Sequence, residues 1–402
     1  MNRRLFLAAL ATFATAPAGA NWVRSSPLGN PCKPGLPEDD DVRALLARTW
    51  SGLDPARVWD VHTHLTGVGD GGKGIWISPE MASWKHPSQR ARRDFLLNAA
   101  CADAAPGTVD VSYVTHLARL LDAHPAGAKA LLFAFEHYHD DRGLPVPGRS
   151  TFHVSNDHAR DVARAHPDRF EWAASIHPYR KDGVAVLERA AAEGARAVKW
   201  LPTGQNIDPA SPRCDRFYAT LARLDLPLIT HAGAEATVKA QHEALGNPLR
   251  LRRALDAGVR VVAAHCASHG EDRDEGGRIV PSFDLFAHLM AMPEYVGRLF
   301  GDISAMTQIN RSTPMKAVLA HTEWHGRLLN GSDYPLPGAR PLISLRKLAL
   351  EGLLATELIA PLDHLRNHNA LLFDLALKRH LAWEGHGLPT AVFHTKDFFR
   401  VR

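Results

Sequence analysis

Apolar and polar positions recur along the chain with two periods. Short runs rich in Val, Ile, Leu, Phe and Ala return at intervals of about 30 residues, separated by stretches whose apolar residues fall three and four apart. The runs predict strands over Val58–Leu65, Ala128–Phe135, Phe170–Pro178, Ala195–Leu201, Pro227–Ala232, Arg260–Ala267, Leu299–Ser304 and Leu328–Tyr334. Helices are predicted over Val42–Ser51, Gly183–Glu193, Arg213–Leu224, Pro248–Ala257, Ser282–Met290, Pro341–Leu354 and Pro361–His380, and an extended arm over Thr390–Phe399. Strand followed by crossover helix is the unit of a parallel sheet, and eight such strands predict an α/β chain closed into a (β/α)8 TIM barrel. The barrel is expected over residues 51–380, after an N-terminal arm and leading helix over 21–50 and before a C-terminal extension over 381–402.

The connections are unequal. Those that lead from helix to strand are short, as in Glu193-Gly194 and Ala257-Gly258-Val259, whereas residues 67–90, 136–156, 202–212 and 268–281 follow strands. In a βα barrel these long segments converge on the C-terminal mouth, where such folds place their chemistry. Chemistry-bearing residues stand at the same strand ends: His62 and His64 on the first strand, Lys199 on the fourth, His231 on the fifth, His265 on the sixth and Asp333 on the eighth. Strict alternation along the first strand sets Asp60, His62 and His64 on one face and Val61, Thr63 and Leu65 on the other. Two imidazoles on one face suit a divalent metal. Asp60, deeper on that face, is expected to orient a ligand or to sit inside the barrel.

Composition narrows the setting. The chain has 402 residues, 45% hydrophobic and 22% charged, with a formal net charge of +4, to which Arg3 and Arg4 contribute. Nothing in that balance favours nucleic acid, so the expected partner is a small-molecule substrate, with a homo-oligomer left open. Residues 1–20 read as an export signal, with Arg3-Arg4, an apolar run from Leu5 to Ala16 and Ala18-Gly19-Ala20. The arginine pair before Leu5-Phe6-Leu7 resembles a twin-arginine signal, which predicts a periplasmic or secreted protein exported folded, with no membrane segment once the signal is removed. Cys32, Cys101, Cys214 and Cys266 lack the close pairing of a zinc cluster, and one disulfide is compatible with an oxidising compartment without the sequence choosing its partners.

His-x-His on the first strand, Lys199, His231, His265 and Asp333 together resemble the metal-dependent amidohydrolase superfamily, in particular the amidohydrolase 2 branch that includes aminocarboxymuconate-semialdehyde decarboxylase-like enzymes. The resemblance implies that His62, His64, His231 and Asp333 hold a divalent metal, Zn2+ by default with Mn, Fe or Co as alternatives. It further implies that His265 binds a second ion or contacts the attacking water, and that Lys199 either bridges two ions as a carbamate or pairs with substrate. Such an ion lowers the pKa of water toward ~7. Asp333 can then take a proton with its free oxygen, while the metal or His265 as imidazolium polarises a carbonyl. Candidate substrate residues at the mouth are His177, Arg180, Trp76 and Arg311, followed by Trp84, Glu136, His137, Tyr138, His139, Tyr179, Glu235 and Asp302. The expected activity is hydrolysis of a small amide, ester or lactone. The alternatives are decarboxylation of a small carboxylated substrate and a non-catalytic exported metal- or ligand-binding barrel; a phosphoesterase or nuclease is disfavoured by Lys199 and by the lack of a basic patch.

Overall fold

A computed structural model describes residues 29–399 except 73, 104, 236 and 240. The export signal expected over 1–20 lies outside the described residues. Eight parallel strands occupy the predicted runs in shortened form: β1 (Trp59–His64), β2 (Lys129–Phe133), β3 (Phe170–Ala173), β4 (Val198–Trp200), β5 (Leu228–His231), β6 (Val261–Ala264), β7 (Leu299–Asp302) and β8 (Leu328–Leu329). A three-stranded and a five-stranded sheet carry them. Bridges between Ala174 and Val198 and between Thr63 and Tyr334 join the two sheets at both seams and close the barrel. Among the described residues no helix is long and apolar enough to cross a membrane.

The strict alternation expected of β1 fails at one place. Asp60 pairs with Ala130 and Thr63 with Leu132, so Val61 and His62 together face the single residue between those partners. This β-bulge turns the strand by one position. Trp59 and Val61 join the inner barrel cluster with Leu131, Phe133, Ile229 and Val262. Asp60 instead lies behind the strand, beside a void of about 20 Å³ that it shares with Asp374 and Leu375. It is therefore not on the face of His62.

Several helices also differ from expectation. Only Leu345–Leu350 forms within 341–354, because Pro341 lies in a 3-10 turn and Ser344 caps the helix that follows. The 361–380 helix is two helices, Ile359–Arg366 and Ala370–Arg379, divided where the Asn369 side chain caps the N–H groups of Leu371 and Leu372. Within 213–224 and 248–257 the first turn is 3-10 and the α-helix begins at Asp215 and Arg252. The tail is not an extended arm: Thr390–Val392 and Thr395–Phe398 are 3-10 turns. They bring Phe398 and Phe399 into the inner cluster at the bottom of the barrel. Cys32 and Cys101 form a disulfide, which ties the arm to the end of helix Pro87–Ala99, while Cys214 and Cys266 are free and buried.

Candidate active site

The strands open at their C-terminal ends into a cavity of about 960 Å³, lined by His62, His64, Lys199, His231, His265, Arg311 and Asp333 among others. Its floor carries the ligand candidates. His64 Nε2 lies 3.2 Å and His62 Nε2 3.4 Å from Asp333 Oδ1, and ligand atoms of these three residues all fall within 4.8 Å of one another. The strands explain the meeting, because the His62 carbonyl accepts from Asp333 N at 2.8 Å and the Tyr334 carbonyl from His64 N at 3.0 Å across the β1–β8 seam.

A second layer aims the rings. His62 Nδ1 lies 2.9 Å from Asp302 Oδ2 and 3.0 Å from Ser304 Oγ. A carboxylate holding the Nδ1–H fixes the tautomer and leaves the Nε2 lone pair available. Lys199 Nζ occupies that direction at 3.2 Å, so a cation bound through Nε2 replaces one hydrogen bond. His265 Nδ1 is held by Ser304 Oγ at 2.8 Å and the Ser304 carbonyl at 3.1 Å, and its Nε2 faces Asp333 Oδ2 at 4.0 Å. Asp302 Oδ1 also accepts the backbone N–H groups of His265 and Ser304, each at 3.0 Å, and the Ser304 hydroxyl.

Charge in the cavity follows from burial. Burial and then the Lys199 charge hold the pKa of His62 well below the ordinary value, and burial and then Arg311 do the same to His265. Burial also lowers His231 to about 4. The three rings are neutral at pH 7, the form that binds metals. Of the two alternatives for polarising a carbonyl, the metal or His265 as imidazolium, this lowering works against the second. Burial lowers Lys199 to about 8, which weakens its hold on its proton without discharging it at neutral pH. Arg311 is 6% exposed, and its Nη1 has no hydrogen-bond partner among the described residues.

Not every candidate joins the cluster. His231 stands with its ring 5.2 Å from that of His265, but its nitrogens face the Ala234 carbonyl at 3.3 Å and Glu235 Oε2 at 3.5 Å. After β5 the chain turns at Gly233, φ 83°, back over the ring. His177, Arg180 and Trp76 do not line the cavity. Strand Ile75–Ile77 pairs with Phe152–Val154 so that Ile77 and Phe152 reach the cavity, while the paired Trp76 and His153 alternate away from it. Trp76 packs edge-on against His137. His177 is buried against the Gln205 carbonyl at 3.0 Å, and Arg180 is paired with Glu136 at 2.9 Å and Asp182 at 2.8 Å. Sequence reasoning offered Asp302 as a substrate contact and did not single out Ser304. Asp302 lies 240 positions from the ring that it orients, and the available signal was a polar Asp-x-Ser closing an apolar strand.

Two imidazoles and a carboxylate, with one ring braced by a second carboxylate, fit a divalent cation of the zinc, manganese, iron or cobalt type. A family model described as amidohydrolase matches residues 59–357. The chain belongs to this amidohydrolase family. Members of the family are metal-dependent enzymes, and this amidohydrolase has the His/Asp group able to hold the ion. No curated protein matches the chain. Similar solved structures include an uncharacterized TIM-barrel protein from Bordetella bronchiseptica, 18% identical over 79% of this chain and 99% of that one, with a TM-score of 0.47. A probable 2-pyrone-4,6-dicarboxylic acid hydrolase from Acinetobacter baumannii is 16% identical over 80% and 99%, with a TM-score of 0.43. The 5-carboxyvanillate decarboxylase from Sphingomonas paucimobilis is 12% identical over 86% and 100%, with a TM-score of 0.44. Membership of the family rests on the match over 59–357 and not on these likenesses.

Proposed function

We propose that this amidohydrolase hydrolyses a small amide, ester or lactone that carries a carboxylate, using one divalent ion, Zn2+ in the first instance. The observation that carries the reading is the division of labour at Asp333. Its Oδ1 faces His62 and His64, while its Oδ2 is turned toward His265 across 4.0 Å. One oxygen can hold a cation while the other accepts a proton. A second group of candidate ligands, His62, His265 and Asp302, has its side chains already engaged in the hydrogen bonds that orient the rings, which favours one ion over two.

When bound, a divalent ion supplies Lewis acidity and makes a water acidic enough to deprotonate near neutral pH. The residues do the rest. His62 and His64 would hold the ion through their Nε2 atoms, and Asp333 would take the proton from the attacking water and return it to the leaving nitrogen or oxygen. His265, with its Nδ1–H held by Ser304 and its Nε2 4.0 Å from Asp333 Oδ2, can accept a hydrogen bond from a water and so hold it in place. Arg311 offers an Nη1–H, unpartnered among the described residues, to a substrate carboxylate, and Phe135, Phe152 and Leu96 supply apolar wall for the body of the molecule.

The same two buried cations, Arg311 and Lys199, favour a second reading, decarboxylation of a carboxylated substrate. The experiment is turnover of a panel of small carboxylated lactones, esters and amides in H2 18O. One labelled oxygen in the product, without carbon dioxide and abolished by chelation, supports hydrolysis. Carbon dioxide release with a solvent proton at the vacated carbon supports the lyase. Neither outcome with any compound, together with unchanged ligand binding in Asp333→Asn, leaves the non-catalytic binding barrel. Export to the periplasm is part of the proposal. It is supported by the Arg3-Arg4 start in the sequence and by the Cys32–Cys101 disulfide, which suits an oxidising compartment.

A further inference from the structure

Behind the floor of the cavity, on the side away from the ligands, lies a buried charged network with no part in the chemistry above. Helix Ala370–Arg379 is buried from Ala370 to Lys378 and carries Asp374 and Lys378, which are 2% and 0% exposed. Lys378 Nζ donates to Asp374 Oδ2 at 2.6 Å and to the Gly331 carbonyl at 2.5 Å. Asp60, turned to this side by the bulge in β1, accepts from His62 N at 3.1 Å and from Ser332 N at 2.8 Å with one oxygen. The network thus reaches His62 directly and Asp333 through Gly331 and Ser332, the two residues that precede it.

The Gly331-Ser332-Asp333 turn needs holding. Asp333 adopts the left-handed conformation, φ 62°, which a non-glycine residue keeps only when its surroundings impose it. At Gly331 an added Cβ would meet His62 Cβ at 2.6 Å, so β8 approaches the ligand strand as closely as glycine allows. A buried lysine-aspartate pair is a poor source of stability, since an apolar pair of similar volume generally packs as well or better. What an apolar pair cannot do is donate to the Gly331 carbonyl.

We propose that Lys378, fixed by Asp374, and Asp60 are positioning residues. They clamp the Gly331-Ser332-Asp333 turn onto β1 and so set the spacing of His62 Nε2, His64 Nε2 and Asp333 Oδ1. The inference rests on the reading of those three residues as the divalent-ion site.

The test compares the full chain with Lys378→Met and with Asp374→Leu/Lys378→Met, which removes both charges together. Each is stripped with chelator, melted in that state, and titrated with Zn2+ against a chromophoric competitor. Lys378→Met alone strands a buried aspartate and melts lower. In the double variant the metal-free melting temperature returns to that of the unaltered chain or above it, while the Zn2+ dissociation constant rises about 10–100-fold, as expected when support of a ligand is removed. A purely structural pair would restore both properties together. A double variant that holds Zn2+ as tightly as the unaltered chain, or that no longer folds, overturns the proposal. Absence of Zn2+ binding by the unaltered chain overturns the ion site itself, and is told apart because it appears before any substitution.

Discussion

At the bottom of the barrel Trp59 stacks on Phe399 with ring centroids 5.7 Å apart, Phe300 meets Phe398 edge to face at 4.7 Å, and the Thr395 hydroxyl bonds the Trp59 backbone. At the mouth three of those strands, β6, β7 and β8, run on into His265, Cys266, Ala267, Ala305 and Asp333, all at positive φ, beside buried Lys199, Arg311 and Asp302. Left-handed backbone costs roughly 1–2 kcal/mol for each non-glycine residue, and a buried charge without a partner costs more. One end gathers apolar surface and ordinary geometry, and the other concentrates strain and charge. Stability is made at the bottom and given up at the mouth, where a cation and a substrate have to be held. Substitutions at the two ends should therefore move different measurements.

The largest expected change in stability is at the bottom. Phe399→Ala should cost about 3–5 kcal/mol in urea denaturation, as for other buried phenylalanines, while metal bound per folded chain stays the same. A loss of metal in step with stability would merge the two regions. At the mouth, Asp302→Asn removes the carboxylate that orients His62 and should weaken metal affinity about 10–100-fold in a chelator competition. Its melting temperature should fall much less than that of Phe399→Ala. Arg311→Met should act on the ligand alone. Melting should hold or rise, because a buried guanidinium whose Nη1 has no hydrogen-bond partner among the described residues is removed, and binding of a small carboxylate such as benzoate should weaken by about 1.5–3 kcal/mol in calorimetry. Unchanged benzoate binding would take Arg311 out of the substrate site.

The smallest effect concerns a pair beside the mouth that the proposed chemistry does not use. His137 and His153 stack with centroids 3.9 Å apart. Burial first, and for His137 also its stacked neighbour, lowers each from 6.5 to about 4. As pH falls the unfolded chain takes up these protons before the folded one, so stability drops between the two values and levels off below the folded one. His153→Phe keeps a ring in the stack and removes one of those protons, so the fall in melting temperature between about pH 7 and pH 5 should be shallower. An identical slope would show that the stack does not report on acid stability.

What the sequence disclosed follows the same division. The eight strands and the convergence of His62, His64, Lys199, His265 and Asp333 were legible, because buried parallel strands read as apolar runs and chemistry sits at their ends. The bulge in β1 was not, since alternation alone offers no sign of two residues facing one, and so Asp60 was assigned to the wrong face. The tail was misread because Phe398 and Phe399 look extended until the barrel bottom supplies partners across some 340 residues of sequence, the separation between Trp59 and Phe399. Asp302 and Ser304 acquire their roles only when β7 lies near β1, a contact no local pattern encodes. His177 fits the pattern of a strand-end histidine as well as His265 does, and only packing tells them apart.

The most direct test of the central claim is metal content per chain by elemental analysis, on protein purified without chelators, beside Asp333→Asn. The account predicts about one equivalent of a divalent transition metal in the unaltered chain and a clear reduction in the variant, with both proteins folded. No bound metal in the unaltered chain, and none taken up on titration with Zn2+ or Mn2+, would contradict it.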